Sequence, residues 1–458
     1  MPFIPHTDDD VRAMLARIGV TSIDALFDEI EPALKTADFS EIDDGVDEMT
    51  MLAEMASRAR RDETGPCFTG AGCYDHHIPA AVWDIAARGE FMTAYTPYQA
   101  EASQGTLQLI YEYQTMITAL TALTVSNASV YDGGSALGEA VLMAVRANRR
   151  HPSMKTDGPR RVAVAGACHP HYVDAAATIT RNQGIELVST GTSGGRASLD
   201  ALADMTGERA PVAVVVQQPN FFGLMEPVDE IADWASANGA LVIAVVNPTS
   251  LAILRPPGEW GANGADIACG DGQPLGIPMA SGGPSFGFMC TRESHVRQLP
   301  GRLVGRTVDR DNRPGFTLTL QAREQHIRRG KARSNICTNQ GLLVTAATIY
   351  LAMMGPTGLA RIATRCHERT RELLRTLVGI EGVATRFGGP FFHEQVIDVG
   401  QDADRVAGDL AARGIVGGLP LGRYFPELRD CLLVCATEKR TDDDIARFGD
   451  ALEQVLHG

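Results

Sequence analysis

The stretch Leu241-Val-Ile-Ala-Val-Val246 is apolar at every position and rich in β-branched residues. Similar apolar runs occupy residues 162–166 and 212–216. Continuous runs of this length are typical of strands that are buried on both faces of a parallel sheet. Helical patterns lie between and beside the runs, at about 170–183, 198–206 and 226–238. This alternation is that of right-handed βαβ units, so the sequence predicts an α/β domain built on a parallel sheet.

The two ends of the chain have other patterns. Thr7 and Ser22 can each cap a short helix, the second with apolar residues at 23, 26, 27 and 30, and a third helical pattern ends at 58–61. After Arg323 the pattern is helical to about 377, followed by a strand, a helix, a strand and a last helix, near 395–399, 402–413, 431–435 and 441–456. We expect an N-terminal helical arm at 1–65, a large α/β domain at 66–322, and a helical connection with a small C-terminal α+β domain at 323–458.

Composition narrows the class of protein. The chain has 458 residues, a net charge of −15 and 44% hydrophobic residues, as in globular proteins. Its acidity argues against a nucleic-acid surface, and its most apolar stretch, 342–354, is shorter than the roughly 20 residues that span a bilayer. The start carries no secretory signal, and nine scattered cysteines without a Cys-x-x-Cys pair indicate reduced thiols. We therefore expect a cytoplasmic protein that binds neither nucleic acid nor membrane.

A glycine-rich turn, Ser129-Val-Tyr-Asp-Gly-Gly-Ser-Ala-Leu-Gly138, runs into a helical pattern at 139–148. Backbone N–H groups at the start of a helix, together with the helix dipole, suit a phosphate group. The alternative is a tight turn without a ligand, which a lone Gly-Gly-Ser favours. Ser135 is the candidate ligand-binding side chain of this turn.

Two groups of titratable residues invite a chemical role. Cys168-His-Pro-His171 offers a thiol and two imidazoles after a buried strand, but neighbouring side chains cannot easily face one tetrahedral zinc ion. We expect no metal there and interpret His169 as a packing or substrate-stacking residue. Asp75, His76 and His77 could supply an acid and a base, although adjacent side chains diverge and a structural use is the simpler hypothesis.

Two further segments could serve recognition. Tyr95-Thr-Pro-Tyr-Gln99 is a polar, aromatic loop before an amphipathic helix, and it could either bind a ligand or staple that helix. Residues 321–339 concentrate arginines and one lysine in an acidic chain. A solvated helix face, an anion site and a subunit contact would each explain this charge.

Several motifs together carry a family resemblance. They are Tyr74-Asp-His-His-Ile-Pro79, Tyr95-Thr-Pro-Tyr-Gln-Ala-Glu-Ala-Ser-Gln-Gly-Thr106, Asn127-Ala-Ser-Val-Tyr-Asp-Gly-Gly-Ser-Ala136, Gly272-Gln-Pro-Leu-Gly-Ile-Pro278, Arg323-Glu-Gln-His-Ile-Arg-Arg329 and Ser334-Asn-Ile-Cys-Thr338. The whole chain resembles the glycine cleavage system P-protein family, glycine decarboxylase, and within it subunit 1 of the two-subunit type. Two small departures are Ala100, where the family has proline, and Arg333, where it has threonine.

The resemblance implies an aspartate-aminotransferase-like fold, the pyridoxal-phosphate-dependent fold type I, with a seven-stranded, mostly parallel sheet in its large domain. In that fold an aspartate at a strand end pairs with the pyridine nitrogen of the cofactor, and a lysine forms the Schiff base. The aligned positions hold Asn247 and Gln273, or Pro274 if the gap is placed differently. All the lysines lie elsewhere, at 35, 155, 331 and 439.

The resemblance therefore implies a subunit that cannot form the imine alone. Pyridoxal phosphate would be held by a lysine-bearing subunit 2, in an α2β2 complex that decarboxylates glycine and passes the aminomethyl group to lipoylated H-protein. Tyr95, Thr96, Tyr98 and Gln99 are the candidates for the shared site, and Ser135 and His169 for a vestigial pocket. The alternatives are a purely structural scaffold and a self-sufficient aminotransferase or lyase, which the missing lysine disfavours.

Overall fold

The computed structural model describes residues 5–35, 40–62, 65–155, 157–206 and 210–458. These fall into two compact units, residues 1–63 and 64–458. The helices are α1 (Asp8–Ile18), α2 (Glu48–Arg61), α3 (Ala80–Ala86), α4 (Gln104–Thr121), α5 (Gly133–Ala147), α6 (Pro170–Thr180), α7 (Leu199–Ala203), α8 (Val228–Ala237), α9 (Gln325–Arg328), α10 (Gly341–Val378), α11 (Ala403–Ala411) and α12 (Asp442–His457). The expected boundary between residues 322 and 323 stays a prediction.

The strands are β1 (Val125–Ser126), β2 (Arg160–Ala165), β3 (Ile185–Ser189), β4 (Thr192–Ser193), β5 (Arg196–Ala197), β6 (Ala213–Gln218), β7 (Leu241–Val246), β8 (Ile267–Asp271), β9 (Gly287–Thr291), β10 (Val304–Val308), β11 (Pro314–Leu318), β12 (Ala384–Thr385), β13 (Glu394–Asp398), β14 (Leu419–Pro420) and β15 (Cys431–Cys435). Seven of them form the main sheet in the order β1-β9-β8-β7-β6-β2-β3. The pairs from β3 to β8 are parallel, whereas β9 is antiparallel to both neighbours. The predicted mostly parallel, seven-stranded sheet is confirmed.

The main sheet is apolar on both faces because helices cover both. In β7, Val242 and Ala244 face one core layer while Ile243 and Val245 face the other. Alternate residues of one strand thus enter opposite layers, which explains why the strand is an uninterrupted apolar run. As a result, the carboxyl ends of β6, β7 and β8 open at one edge, where polar residues follow each strand.

A second, antiparallel sheet has the order β12-β13-β15-β14. Helices α11 and α12 cover it, with Val406, Leu410 and Phe448 in their shared core. Thr441 caps α12 in a capping box with Asp444, as the sequence predicts. This sheet contributes His393 and Glu394 to the site described below.

Three sequence-based helix predictions need correction. Ser22 precedes only a single 3₁₀ turn, Asp24–Phe27. A second short turn starts at Pro32, and proline inside a helix would break it, so a longer helix does not form here. Helix α5 begins at Gly133, inside the glycine-rich turn, because the Asp132 side chain caps it there. Residues 323–340 hold only short turns and α9, and the long helix α10 starts at Gly341.

Helix α10 contains the apolar stretch 342–354. By length and composition it could cross a membrane, but half of its most apolar window is buried inside the protein, as is common for core helices. The helix is kinked at Gly355, which has a φ of 59° directly before Pro356.

Candidate functional site

The site lies where β7 and β8 end. Asn247 follows β7, and both polar atoms of its side chain have a partner: Oδ1 accepts from the Thr249 N–H at 2.9 Å and Nδ2 donates to His393 Nε2 at 3.3 Å. An amide carries no charge, so this position cannot form the ion pair that a protonated pyridine nitrogen requires. The position that resembles the cofactor-binding aspartate is instead part of the protein's own hydrogen-bond network.

Gln273 follows β8 and is 3% exposed. Its Oε1 accepts from the Tyr74 N–H at 2.8 Å, and its Nε2 donates to the carbonyls of Tyr74 at 2.9 Å and Ile277 at 2.8 Å. Only a side chain that both accepts and donates can satisfy this set of backbone groups. Gln273 therefore joins two segments that lie 199 residues apart in sequence.

The N-terminus of α5 is occupied by carboxylates. Asp132 Oδ1 accepts from the Ser135 N–H at 2.7 Å, and Asp271 Oδ2 accepts from the Gly133 N–H at 3.1 Å. Asp271 also accepts from the Ser285 hydroxyl. These carboxyl groups occupy two of the N–H donors that a phosphate group would use and lie at the positive end of the helix dipole. The turn without a phosphate is therefore the interpretation that the geometry supports.

Tyr172, from α6, fills the space in front of that turn. A Cβ atom on Gly133 would lie 2.5 Å from the Tyr172 ring, so only glycine fits there. The His169 ring stacks on Tyr172 with centroids 4.3 Å apart and planes 11° from parallel, and Phe221 contacts it edge-on. His169 Nε2 donates to the Ala71 carbonyl at 2.8 Å, and burial is the main cause that lowers its pKa to about 4. His169 is thus a neutral packing residue.

Only a small cavity lies beside the stacked rings of His169 and Tyr172. The cavity between His169, Asn247, His393 and Glu394 measures about 30 Å³, roughly the volume of one water molecule, and ligand pockets usually measure about 300–1,000 Å³. A larger cleft of about 370 Å³ lies outside Tyr172, but Asp132 and Asp271 line it and no lysine does. The residues present do not fit pyridoxal phosphate, because the amine, the ring-nitrogen carboxylate and the free helix N-terminus are all missing.

Two glutamates near the site, the buried Glu394 and the half-buried Glu438, have pKa shifts in opposite directions. Glu394 accepts from the Ala71 N–H at 2.6 Å and the Tyr74 hydroxyl at 2.7 Å, but burial outweighs these bonds and raises its pKa to about 7. Glu438 is also penalised by burial, yet the hydrogen bond and charge of His76 lower its pKa to about 2. The difference arises because only Glu438 has a partner that can carry a positive charge.

Hydrogen bonds and ion pairs join the Asp75-His76-His77 motif to residues 438–440. Asp75 pairs with Lys439 at 2.6 Å and Arg440 at 2.8 Å, while the His77 N–H donates to Glu438 Oε1 at 2.7 Å. His76 Nδ1 lies 2.8 Å from Glu438 Oε2. This long-range role is structural, as the simpler hypothesis held, and it also engages Lys439, one of the four lysines.

Three side chains of metal-ligating type lie together at this motif. His76, Glu438 and Cys366 of α10 offer three ligand atoms within 4.8 Å of one another. Hydrogen bonds already join them, since the Cys366 thiol donates to Glu438 Oε2 at 3.2 Å. The segment Cys168-His-Pro-His171, where we expect no zinc, is separate from this group. Burial raises the pKa of Cys168 to about 12, which favours the thiol over the thiolate that zinc requires.

The aromatic loop lies apart from these cavities. Tyr95 is 87% exposed, Gln99 is exposed, and Thr96 is half-buried with its carbonyl accepting from the Tyr98 N–H. The Tyr98 hydroxyl accepts from Arg302 at 2.7 Å, and its ring lies 5.0 Å from that of His326. Sequence analysis missed this connection, because Arg302 carries no local motif and the two segments are more than 200 residues apart.

Comparisons with known proteins give the family of the chain. The family model "Glycine cleavage system P-protein" matches residues 1–452. The probable glycine dehydrogenase (decarboxylating) subunit 1 of Legionella pneumophila is 57% identical over all of this chain and 99% of that protein. Its name, subunit 1, implies a partner subunit for that protein.

Two solved structures define the fold. A crystal structure of glycine decarboxylase (P-protein) of the glycine cleavage system, in inhibitor-bound form, is 41% identical, with a TM-score of 0.88 over 99% of this chain and 100% of that one. The glutamate decarboxylase of Lactobacillus brevis, 13% identical with a TM-score of 0.67 over 93% of this chain and 96% of that one, shares the fold alone. The architecture is that of the pyridoxal-phosphate enzymes of fold type I, and pyridoxal phosphate is the cofactor expected for it. The chain belongs to the glycine cleavage system P-protein family.

Proposed function

We propose that this chain is the non-Schiff-base subunit of a heteromeric glycine dehydrogenase (aminomethyl-transferring). It pairs with a lysine-bearing subunit 2, as α2β2, and is inactive alone. The complex acts in the cytoplasm, decarboxylates glycine and transfers the aminomethyl group to lipoylated H-protein. Family membership and the name of the Legionella relative support this proposal.

The observation that carries the proposal is the environment of Gln273. The three hydrogen bonds of its amide leave no side-chain atom free for chemistry, and no lysine lines either cavity at the strand ends. A self-sufficient aminotransferase or lyase needs an amine at this place. In the complex, pyridoxal phosphate would be held by the partner subunit, where it supplies the electron sink for decarboxylation.

The contribution of this chain would come from the aromatic loop. Arg302 fixes the Tyr98 hydroxyl, and Arg302 is itself 2% exposed and held near Glu324 at 3.9 Å. Tyr98 is thereby oriented before any partner arrives, while Tyr95 presents its ring to the outside. A preoriented phenol and an exposed one suit a loop that completes a site across an interface. Thr96 and Gln99 extend the same surface.

The test is copurification with a subunit 2, followed by glycine-dependent exchange of CO₂. We expect Tyr95→Phe and Tyr98→Phe to lower turnover of the assembled complex without changing its mass. The loss of one hydrogen bond to a substrate or cofactor group costs about 1–3 kcal/mol, or roughly 5- to 150-fold in rate when it acts in the transition state.

Tyr111→Phe is the matched control. Tyr111 packs against Phe316 outside the loop, so its loss of a hydroxyl should leave the rate unchanged. If both loop variants assemble and turn over at the parental rate, the assignment of the loop to the shared site is wrong and the scaffold alternative gains support. Borohydride reduction of the isolated chain with pyridoxal phosphate gives a second test, because near-stoichiometric labelling of one lysine would contradict the proposal outright.

A further inference from the structure

A pocket lined by cations lies between the segment 320–333 and the turn that contains Arg297. Its volume is about 350 Å³. The residues that line it include five cations and no carboxylate: Arg297, Arg323, Arg328, Lys331 and Arg333, beside Leu320 and Ala322. We call this the arginine pocket. It accounts for much of the positive charge that the sequence concentrates at 321–339.

The positive charges of the arginine pocket outnumber the acidic groups of the protein that act on them. None of the five cations forms an ion pair within the described part of the chain, although Arg and Asp or Glu pair at many other places. Glu324 forms its ion pairs with Arg302 and His326, and its charge also acts on Arg323 from a longer distance, so one carboxylate is shared among several cations. Like charges brought together without a counter-ion repel one another, so an external anion would stabilise this arrangement.

Unused hydrogen-bond donors point the same way. Arg323 donates through Nη1 to the Leu299 carbonyl, but its Nε and Nη2 are buried and have no partner. Arg328 donates through Nε to the Ala322 carbonyl at 2.9 Å, which fixes the guanidinium and leaves its Nη atoms available. The two buried Arg323 nitrogens contact no solvent, so they add to the positive potential of the pocket, while the Nη atoms of Arg328 are the donors left for an anion.

We propose that the arginine pocket binds a phosphate-class oxyanion, either inorganic phosphate or the phosphate group of a small ester. Planar guanidinium groups bind tetrahedral oxyanions through paired hydrogen bonds, which a single lysine cannot do. The pocket volume lies within the range for small ligands. This inference goes beyond the proposed function and holds whether or not the chain assembles with a subunit 2.

The test is calorimetric titration of the isolated full chain at constant ionic strength. The probes are inorganic phosphate, glycerol 3-phosphate and a short glutamate peptide. We expect saturable phosphate binding with a Kd below about 1 mM, and a further gain for the ester if the natural ligand is one. Arg328→Gln with Arg333→Gln should weaken binding about tenfold or more, because charge-assisted hydrogen bonds are lost.

The control is Arg306→Gln with Arg310→Gln, which removes the same charge from exposed positions outside the pocket. It should change the Kd by less than about twofold. Loss of binding in both double variants, no saturation by phosphate or ester, or tighter binding of the peptide would each overturn the proposal. If the pocket variant is unstable, phosphate protection of Arg328 and Arg333 from phenylglyoxal in the parent chain decides the question, and unprotected modification contradicts it.

Discussion

The N-terminus of α5 and the arginine pocket, both in the described part of the chain, are two places with the donors or charge that suit a phosphate group, and they are built in opposite ways. At α5, Asp132 and Asp271 accept from the helix N–H groups and Tyr172 fills the space in front. In the arginine pocket five cations line an open space and no carboxylate does. At α5 the backbone of a phosphate site is present, but side chains fill it. In the arginine pocket, positive charge is concentrated away from that backbone site.

The largest expected effect tests how firmly the strand-end site is closed. Gln273→Lys should destabilise the chain by about 3–5 kcal/mol, because an ammonium group cannot accept from the Tyr74 N–H and its charge would be buried without an acidic partner. Urea unfolding measures this loss. Gln183→Lys, at an exposed position, is the control and should be close to neutral. Gln273→Lys should also fail to decarboxylate glycine in the isolated chain, since Asn247 supplies no carboxylate for the cofactor. Activity of this variant alone would show that the strand-end site is still open.

The next effect concerns acid stability beside the closed site. The pKa of Glu438 is depressed to about 2, so its charged form stabilises the fold above its ordinary pKa of 4.5, and this stabilisation is lost as the pH falls toward 2. The full difference corresponds to about 3 kcal/mol. Glu438→Gln should abolish that part of the slope between pH 4.5 and pH 2 in chemical unfolding. An unchanged acid profile would mean that the His76 contact does not hold the carboxylate.

Glu394 should show the opposite dependence. Because its pKa is raised to about 7, the folded chain binds a proton more tightly than the unfolded chain, and stability falls as the pH rises from 4.5 to 7. We expect Glu394→Gln to flatten this decline and to exceed the parent in stability above pH 7, by about 2–3 kcal/mol. Equal curves for parent and variant across that range would argue that water reaches Glu394 and that the cavity is not sealed.

The smallest effect sharpens the role of Tyr172. Gly133→Ala places a Cβ 2.5 Å from the tyrosine ring, which should cost about 1–3 kcal/mol through overpacking. Gly105→Ala is the matched control, since nothing lies within 4 Å of its Cβ position in α4, and it should be neutral or slightly stabilising. Thermal unfolding of the two variants gives the comparison. Equal melting temperatures would mean that Tyr172 moves aside easily and that the phosphate position can reopen.

Sequence patterns predicted the elements that depend on local chemistry. The apolar runs at 162–166, 212–216 and 241–246 became β2, β6 and β7, and Thr441 caps α12 as expected. The patterns failed where a tertiary contact or a neighbouring turn overrides propensity, as after Ser22 and in residues 323–340. For the candidate site, the sequence showed that positions 247 and 273 hold the uncharged residues Asn and Gln. It did not show which groups these side chains bind.

The sequence by itself determined the α/β fold, the family and the absence of a lysine at the strand ends, since periodicity, motifs and composition are properties of the chain read in order. Only the tertiary structure decided that Gln273 binds the backbone of Tyr74, that Tyr172 fills the α5 turn and that Tyr98 meets Arg302. It also decided that the cations near Arg323 line one pocket together with Arg297. These contacts join segments far apart in sequence, and their energies depend on burial and distance, which no local pattern records.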